Sequence, residues 1–370
     1  MAARGLVAYS SPSTSGHAMP RLPLLAASDR YRPCIQDLLA DGPEVLDYWL
    51  TLFERHVETL AALPVRGGRL DAQPAWAAFR RDYLAGLADL RRRPDLRGRL
   101  SVLELTRYRD EKLAAHAMGD PFADLKAREN ALAMRLYRTV IAEVDAAPPT
   151  MRWELLARGL FAGNLFDMGS RAAVDAFECG GFDFRTARNG VRSRPWPVDG
   201  LDAWQERAGE SGLPWRQALF FVDNAGPDII LGAIPLAREL ARRGTRVVLA
   251  ANSTPALNDI TADELADLLP RLAAQDAVLE DHARSGRIAV VASGCMSPLI
   301  DLSALSQACC DAAAASDLLI LEGMGRAIES NYDAAFTVDA VKLALIKDPM
   351  VARVIGVSLF DPVFRFERAG

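Results

Sequence analysis

From residue 217 onward, short runs of consecutive apolar residues alternate with longer stretches of helical period, and this alternation constrains the fold more than any other feature of the chain. The apolar runs fall at 217–222 (QALFFV), 246–251 (RVVLAA), 287–292 (RIAVVA), 317–321 (DLLIL) and 341–346 (VKLALI), and a sixth strand is expected at 353–360 (RVIGVSLF). Runs without polar alternation belong to strands buried on both faces, which is the habit of parallel sheets covered by helices. A helix is expected between the first two strands at 228–243, stopping at Gly244, the residue type that ends helices in the left-handed conformation. The expected fold class is therefore α/β with a mostly parallel sheet.

The N-terminal half has a different texture. Apolar residues recur at three- and four-residue steps in 35–63, 75–93, 121–149 and 151–177, the last interrupted by Gly163-Asn164. Residues 180–215 show no steady period and are expected to connect the two halves. The organisation expected is an N-terminal tail (1–30), a helical part (31–200) and an α/β core (201–370). Half of the 370 residues are hydrophobic, enough for a large core, and the net charge of −5 speaks against a nucleic-acid footprint. No apolar run is long enough to span a membrane. The five cysteines form no CxxC pair, so a disulfide framework and a thiolate zinc site are both disfavoured and a reducing, cytoplasmic setting is expected. The four histidines (17, 56, 116, 282) show no HExxH or HxH spacing. Assembly into a homo-oligomer is compatible with the sequence, which does not address it.

Ligands of open parallel sheets bind beyond the carboxyl ends of the strands. Those ends carry Asp223-Asn224, Asn252-Ser253, Ser293-Gly294, Glu322-Gly323-Met324-Gly325-Arg326 and Lys347-Asp348. Any one of them is a common cap or turn; five in succession form a constellation. Asp223, Asn224 and Asp259 offer hard oxygen ligands, suited to Mg²⁺, Mn²⁺ and similar divalent ions. Asn252, Ser253 and the Gly323–Gly325 backbone suit phosphate oxygens, and Lys347 supplies a compact positive charge. Asp223 can alternatively be read as a helix cap. Thr261 with Glu264 has capping-box spacing, which leaves Asp259 outside the helix that follows. Glu322, at a buried strand end, requires a partner. A dinucleotide-binding reading fails because no GxGxxG follows the first strand, and neither a P-loop nor an Asp-x-Asp motif is present. The residues point to a metal-dependent phosphomonoesterase, with Asp223 and Lys347 as the catalytic pair. The competing reading is a phosphometabolite-binding protein without turnover. It leaves unexplained two carboxylates beside a presumed phosphate, which repel it unless a cation intervenes.

The stretches FVDNAGPDIILGAIPLARELARRGTRVVLAANSTPALNDIT and LLILEGMGRAIESNYDAAFTVDAVKLALIKD resemble the metal-dependent damage-control phosphatases. They look most like the branch found as the C-terminal phosphatase domain of the fourth pantothenate kinase paralogue. LLARGLFAGNLFDMGS and RYRPCIQDLLADGPEVLDYWLTLF extend the likeness to roughly residues 30–363. The resemblance implies a helical N-terminal part packed on an α/β/α sandwich. It implies metal ligation by Asp223, Asn224 and Asp259, and phosphate contacts at Asn252, Ser253 and Lys347. The Glu322–Arg326 loop, with Gly323 and Gly325, would line the site, and Asn164 would face the pocket. Ala225 stands where relatives often carry Ser. The implied substrates are small phosphorylated metabolites, 4′-phosphopantetheine and its oxidised or damaged forms first, sugar phosphates as the alternative, with Mn²⁺, Co²⁺, Ni²⁺ or Mg²⁺ as cofactor.

Overall fold

The structure is a computed structural model that describes residues 19–66, 68–165, 184–209 and 212–369. Most of the expected tail, residues 1–18 with His17, lies outside the described residues, as do Cys179 and the end of the helical stretch expected at 151–177. The part of the tail that is described is docked: Leu22, Leu24 and Leu25 are buried, and the Leu22 amide donates to the Leu302 carbonyl at 2.8 Å.

The helices that precede the sheet are α1 (Pro43–Ala62), α2 (Trp76–Arg92), α3 (Val102–Ala115), α4 (Ala123–Ala146) and α5 (Pro149–Leu165), with a short hairpin of β1 (Pro64–Val65) and β2 (Gly68–Arg69) after α1. Two expectations are corrected here. Residues 35–42 do not join the first helix; Pro43 opens it, since a proline at the first helical position has no N–H to leave unpaired. Nor does Gly163-Asn164 interrupt α5, because Gly163 is there for close approach: a Cβ on it would stand 2.7 Å from the Cα of Asp228. Among its described residues, the 180–215 region carries short regular elements. It holds α6 (Phe184–Gly190), β3 (Val198–Asp199) and α7 (Leu201–Ala208), anchored by buried Trp196, Trp204 and Trp215.

The main sheet then adds β4 (Gln217–Phe221), β5 (Arg246–Ala251), β6 (Ile288–Ala292), β7 (Leu318–Glu322), β8 (Asp339–Leu345) and β9 (Pro362–Glu367) in the order β3-β9-β8-β7-β4-β5-β6. All neighbours are parallel except β8 and β9. Between the strands lie α8 (Ile234–Arg242), α9 (Ala262–Ala273), α10 (Ala277–Arg284), α11 (Gln307–Ala314) and α12 (Pro349–Ile355). The first five expected strands are in place. The sixth is not: residues 349–355 form α12, because Asp348 accepts hydrogen bonds from the amides of Met350 and Val351 as its cap, and Gly356 at φ 75° ends it. The last strand is β9, a few residues later.

The period-two alternation of strand side chains divides the core in two. Leu219, Phe221, Leu319 and Leu321 share one core with α1, α2 and α3, whereas Ala218, Phe220, Leu318 and Ile320 share the other with α5, α7, α8 and α9. Helix α4 belongs to both, with Leu125 in the first and Tyr137 and Val144 in the second. The chain runs β4, β5, β6 to one side and then returns to the other side of β4 with β7, so the order reverses between β4 and β7. A ligand crevice is expected at that reversal.

Candidate active site

Strand β4 delivers Asp223 and Asn224 to the crevice, and β7 delivers Glu322 and Gly323. The loop after β5 folds back against β4 through bridges that pair Asn224 with Asp259 and Asn252 with Thr261. The Ile260 amide donates to the Asp223 carbonyl (3.1 Å), and that of Ala225 to Asn258 (2.9 Å). The expected capping box is present: the Glu264 amide donates to Thr261 Oγ1 at 3.2 Å and the Thr261 amide to Glu264 Oε2 at 2.8 Å. With the helix beginning there, Asp259 is left facing Asp223. Buried Lys126 of α4, 2.6 Å from Glu264 and 2.8 Å from Asp120, braces the same loop.

A guanidinium spans the two acids. Arg326, 1% exposed, donates from Nη1 to Asp223 Oδ1 and from Nη2 to Asp259 Oδ2 (2.7 Å) and Asn252 Oδ1 (2.9 Å). Asn252 donates to Asp259 Oδ2 at 2.8 Å. Asn224 Nδ2 donates to Asp223 Oδ2 at 2.8 Å and to Asp228 Oδ2 at 2.9 Å, and Asn164 Nδ2 reaches the same two oxygens at 3.1 and 3.3 Å. Gly323, at φ 93°, is required by both backbone and space: a Cβ there would lie 2.3 Å from the Asp223 carboxyl. Lys347 Nζ donates to the Asn164 carbonyl at 2.9 Å.

The charge does not balance. Four buried carboxyl groups, Asp223, Asp228, Asp259 and Glu322, surround one guanidinium. Burial raises the Asp223 pKa to about 8, with Asp259 and Asp228 adding to the rise and Arg326 opposing it. Burial, and then Asp228, push Glu322 well above the usual carboxylate range. Burial works against the charge of Arg326, but Asp259 and Asp223 hold its pKa above the ordinary arginine value. Asp228 Oδ1 and Asn164 Oδ1 are buried with no hydrogen-bond partner. Among the described residues no three His, Cys, Asp or Glu side chains form a ready-made metal-binding group. Two carboxyl groups with an amide, more buried acids than cations to pair them, and unpartnered buried oxygens nonetheless fit a hard divalent cation.

Above this floor lies a cavity of about 360 Å³, lined by Asp223, Asn224, Asp259, Gly325, Lys347 and Glu329 on the sheet side, by Trp49 and Phe53 of α1, and by Val102 and Arg109 of α3. Asn164, Asn252, Glu322, Gly323 and Arg326 are not in its wall; Asn164, Asn252 and Arg326 hydrogen-bond to Asp223 or Asp259, which are. Ser253 is occupied elsewhere, its hydroxyl accepting from the Gly294 amide at 2.8 Å. Sequence reasoning missed Asp228 and Glu329. Asp228 was hidden inside an expected helix, although an acid within the apolar stretch DIILGAI was a signal. It opens a wide π-helical turn, Asp228–Ala233, that leads into α8.

The fold and crevice define an α/β protein with an acidic ligand site at the strand ends, and the comparisons place it in a family. The Damage-control phosphatase ARMT1-like domain matches residues 57–363. A damage-control phosphatase of Arabidopsis thaliana is 36% identical over 356 residues, covering 94% of this chain and 96% of its own length. The chain belongs to the damage-control phosphatase family. A pantothenate kinase 2 of Arabidopsis thaliana is 39% identical over 95% of this chain and 42% of its own length. The 4′-phosphopantetheine phosphatase of Mus musculus is 34% identical over 94% of this chain and 48% of its own length. The chain thus spans less than half of those two relatives. In fold it is similar to a DUF89 family protein of Pyrococcus horikoshii, with a TM-score of 0.60 at 18% identity, covering 87% of this chain and 97% of the other.

Proposed function

We propose that this chain is a metal-dependent phosphomonoesterase acting on 4′-phosphopantetheine and its oxidised or damaged forms. The observation that carries the reading is the unbalanced cluster of buried acids on the floor of a cavity, which calls for a cation. Asp223, Asn224 and Asp259 would hold a divalent ion (Mn²⁺, Co²⁺, Ni²⁺ or Mg²⁺). Such an ion, when bound, activates water and neutralises phosphate charge. The residues of the chain do the rest. Lys347 and the backbone N–H groups of Met324 and Gly325, both in the cavity wall, stabilise the phosphoryl oxygens as charge shifts among them. Asn252 and Arg326 hold Asp259 in position, and Asn164 does so for Asp223. Trp49, Phe53, Leu257 and Leu299 make much of the cavity wall apolar. That wall suits a substrate with a long, partly apolar chain better than a compact sugar phosphate, and the name of the mouse relative agrees. Among the described residues no helix is long and apolar enough to cross a membrane.

The test is phosphate release from 4′-phosphopantetheine by chelator-treated protein with each of the four ions. Release restored by an ion and abolished in Asp259→Ala is the expected result. Release unaffected by chelation, or an Asp223→Asn variant that keeps most of its activity, would overturn the assignment.

A further inference from the structure

Hydrolysis of a phosphate ester of an alcohol poses a problem that neither a cation nor Lys347 solves. The departing alkoxide is strongly basic, so its oxygen needs a proton as the P–O bond breaks. Lys347 already donates to the Asn164 carbonyl and Tyr48 to Asp348 (2.7 Å). Glu329 is placed differently. It is the last residue of the π-helical turn Met324–Glu329, which begins at the glycine loop. Glu329 lines the same cavity as Asp223 and Lys347, is 8% exposed, and its carboxyl has no hydrogen-bond partner among the described residues. The titratable groups near enough to act on it electrostatically are Tyr48 from α1, Cys34 from the segment before α1, Asp348 and Lys347 from the loop after β8, and Asp223 from the end of β4. Burial, and next the neighbouring Asp348, raise its pKa to about 8, with Lys347 opposing them. It therefore carries its proton at neutral pH.

We propose that Glu329 is the general acid that protonates the leaving oxygen. The proposal rests on the phosphomonoesterase reading above. In the step, the oxygen of a water molecule bonds to phosphorus as the ester P–O bond breaks. The leaving oxygen keeps the bonding pair and takes the Glu329 proton, giving the free alcohol. One proton of the water stays on inorganic phosphate, and the other returns Glu329 to its acid form.

The test compares Glu329→Gln with the wild type, both Mn²⁺-loaded, on two esters. One is 4′-phosphopantetheine, whose leaving group is an alcohol. The other is 4-nitrophenyl phosphate, whose phenolate leaves without a proton. Loss of general acid catalysis should lower kcat by about 10²–10⁴-fold on the alkyl ester but by less than about tenfold on the aryl ester. Survival of the aryl activity also shows that the variant is folded. Glu329→Asp, which keeps an acid, should recover part of the alkyl activity. In the wild type the alkyl activity should fall above about pH 8, and the aryl activity should lack that limb. Equal losses on both esters, or alkyl activity within about threefold of wild type, would overturn the assignment. Wild-type protein inactive on both esters would instead overturn the phosphatase reading, and this proposal with it.

Discussion

Two buried arginines in this protein each sit among carboxylates, and they do opposite things. Arg238 of α8 joins Asp145 of α4 through two hydrogen bonds of 2.8 and 2.9 Å, and pairs with Asp276, the cap of α10, at 2.6 Å. Tyr137 donates to the same Asp276 at 3.0 Å. That cluster has two acids for one guanidinium, and Arg238 holds Asp145 below the usual carboxylate range although burial opposes it. Arg326 faces twice as many acids, and Asp223 beside it is driven up instead. A fastening between helices keeps its Asp145 carboxylate ionised. The cavity floor, where a cation is proposed to bind, is left short of positive charge, at a cost in stability.

Asp259→Ala should have the largest effect on activity, lowering phosphate release by about 10³-fold or more in assays at a temperature where circular dichroism shows the variant folded. Asp276→Asn should do the reverse, destabilising the fold while kcat stays within about twofold, as assays beside urea titrations would show. Arg326→Met leaves buried acids uncompensated and should cost about 3–5 kcal/mol in the metal-free protein. Added Mn²⁺ should recover part of that loss, and the same addition should do nothing for Arg238→Met. If Mn²⁺ rescued both variants equally, the contrast between the clusters would be lost.

The pH dependence gives a subtler difference. Glu329 binds its proton more tightly folded (pKa about 8) than unfolded, so between about pH 4.5 and 8 the folded state holds more protons. Its contribution to stability is therefore present at low pH and lost as pH rises through that window. Thermal melts of the metal-free protein should show the decline, and Glu329→Gln should flatten part of it. The smallest effect is at the cap: Thr261→Ala should cost about 1 kcal/mol, because one amide of α9 loses its acceptor.

The parts of the molecule that local chemistry determines were legible in the sequence. The first five strands of the parallel sheet follow from unbroken apolar runs, and the Thr261–Glu264 box follows from spacing alone. The strand expected at 353–360 failed because an apolar run does not separate strand from helix, and the Asp348-Pro349 start outweighed it. The position of Arg326 was not readable either. The sequence shows that it follows a glycine loop, but its seat between Asp223 and Asp259 depends on β7 returning beside β4, over a hundred residues from Asp223 in the chain. The division of the N-terminal helices between the two faces of the sheet is long-range in the same sense.

The seat of Arg326 also bears on the order of events in the life of the protein. Many small metalloproteins cannot fold until their ion arrives, and so take whichever ion is present at synthesis. Here an internal guanidinium bridges the two acids beforehand, so the chain can complete its fold first. An ion bound at the proposed site would then be chosen later, by exchange with the surroundings of a finished protein.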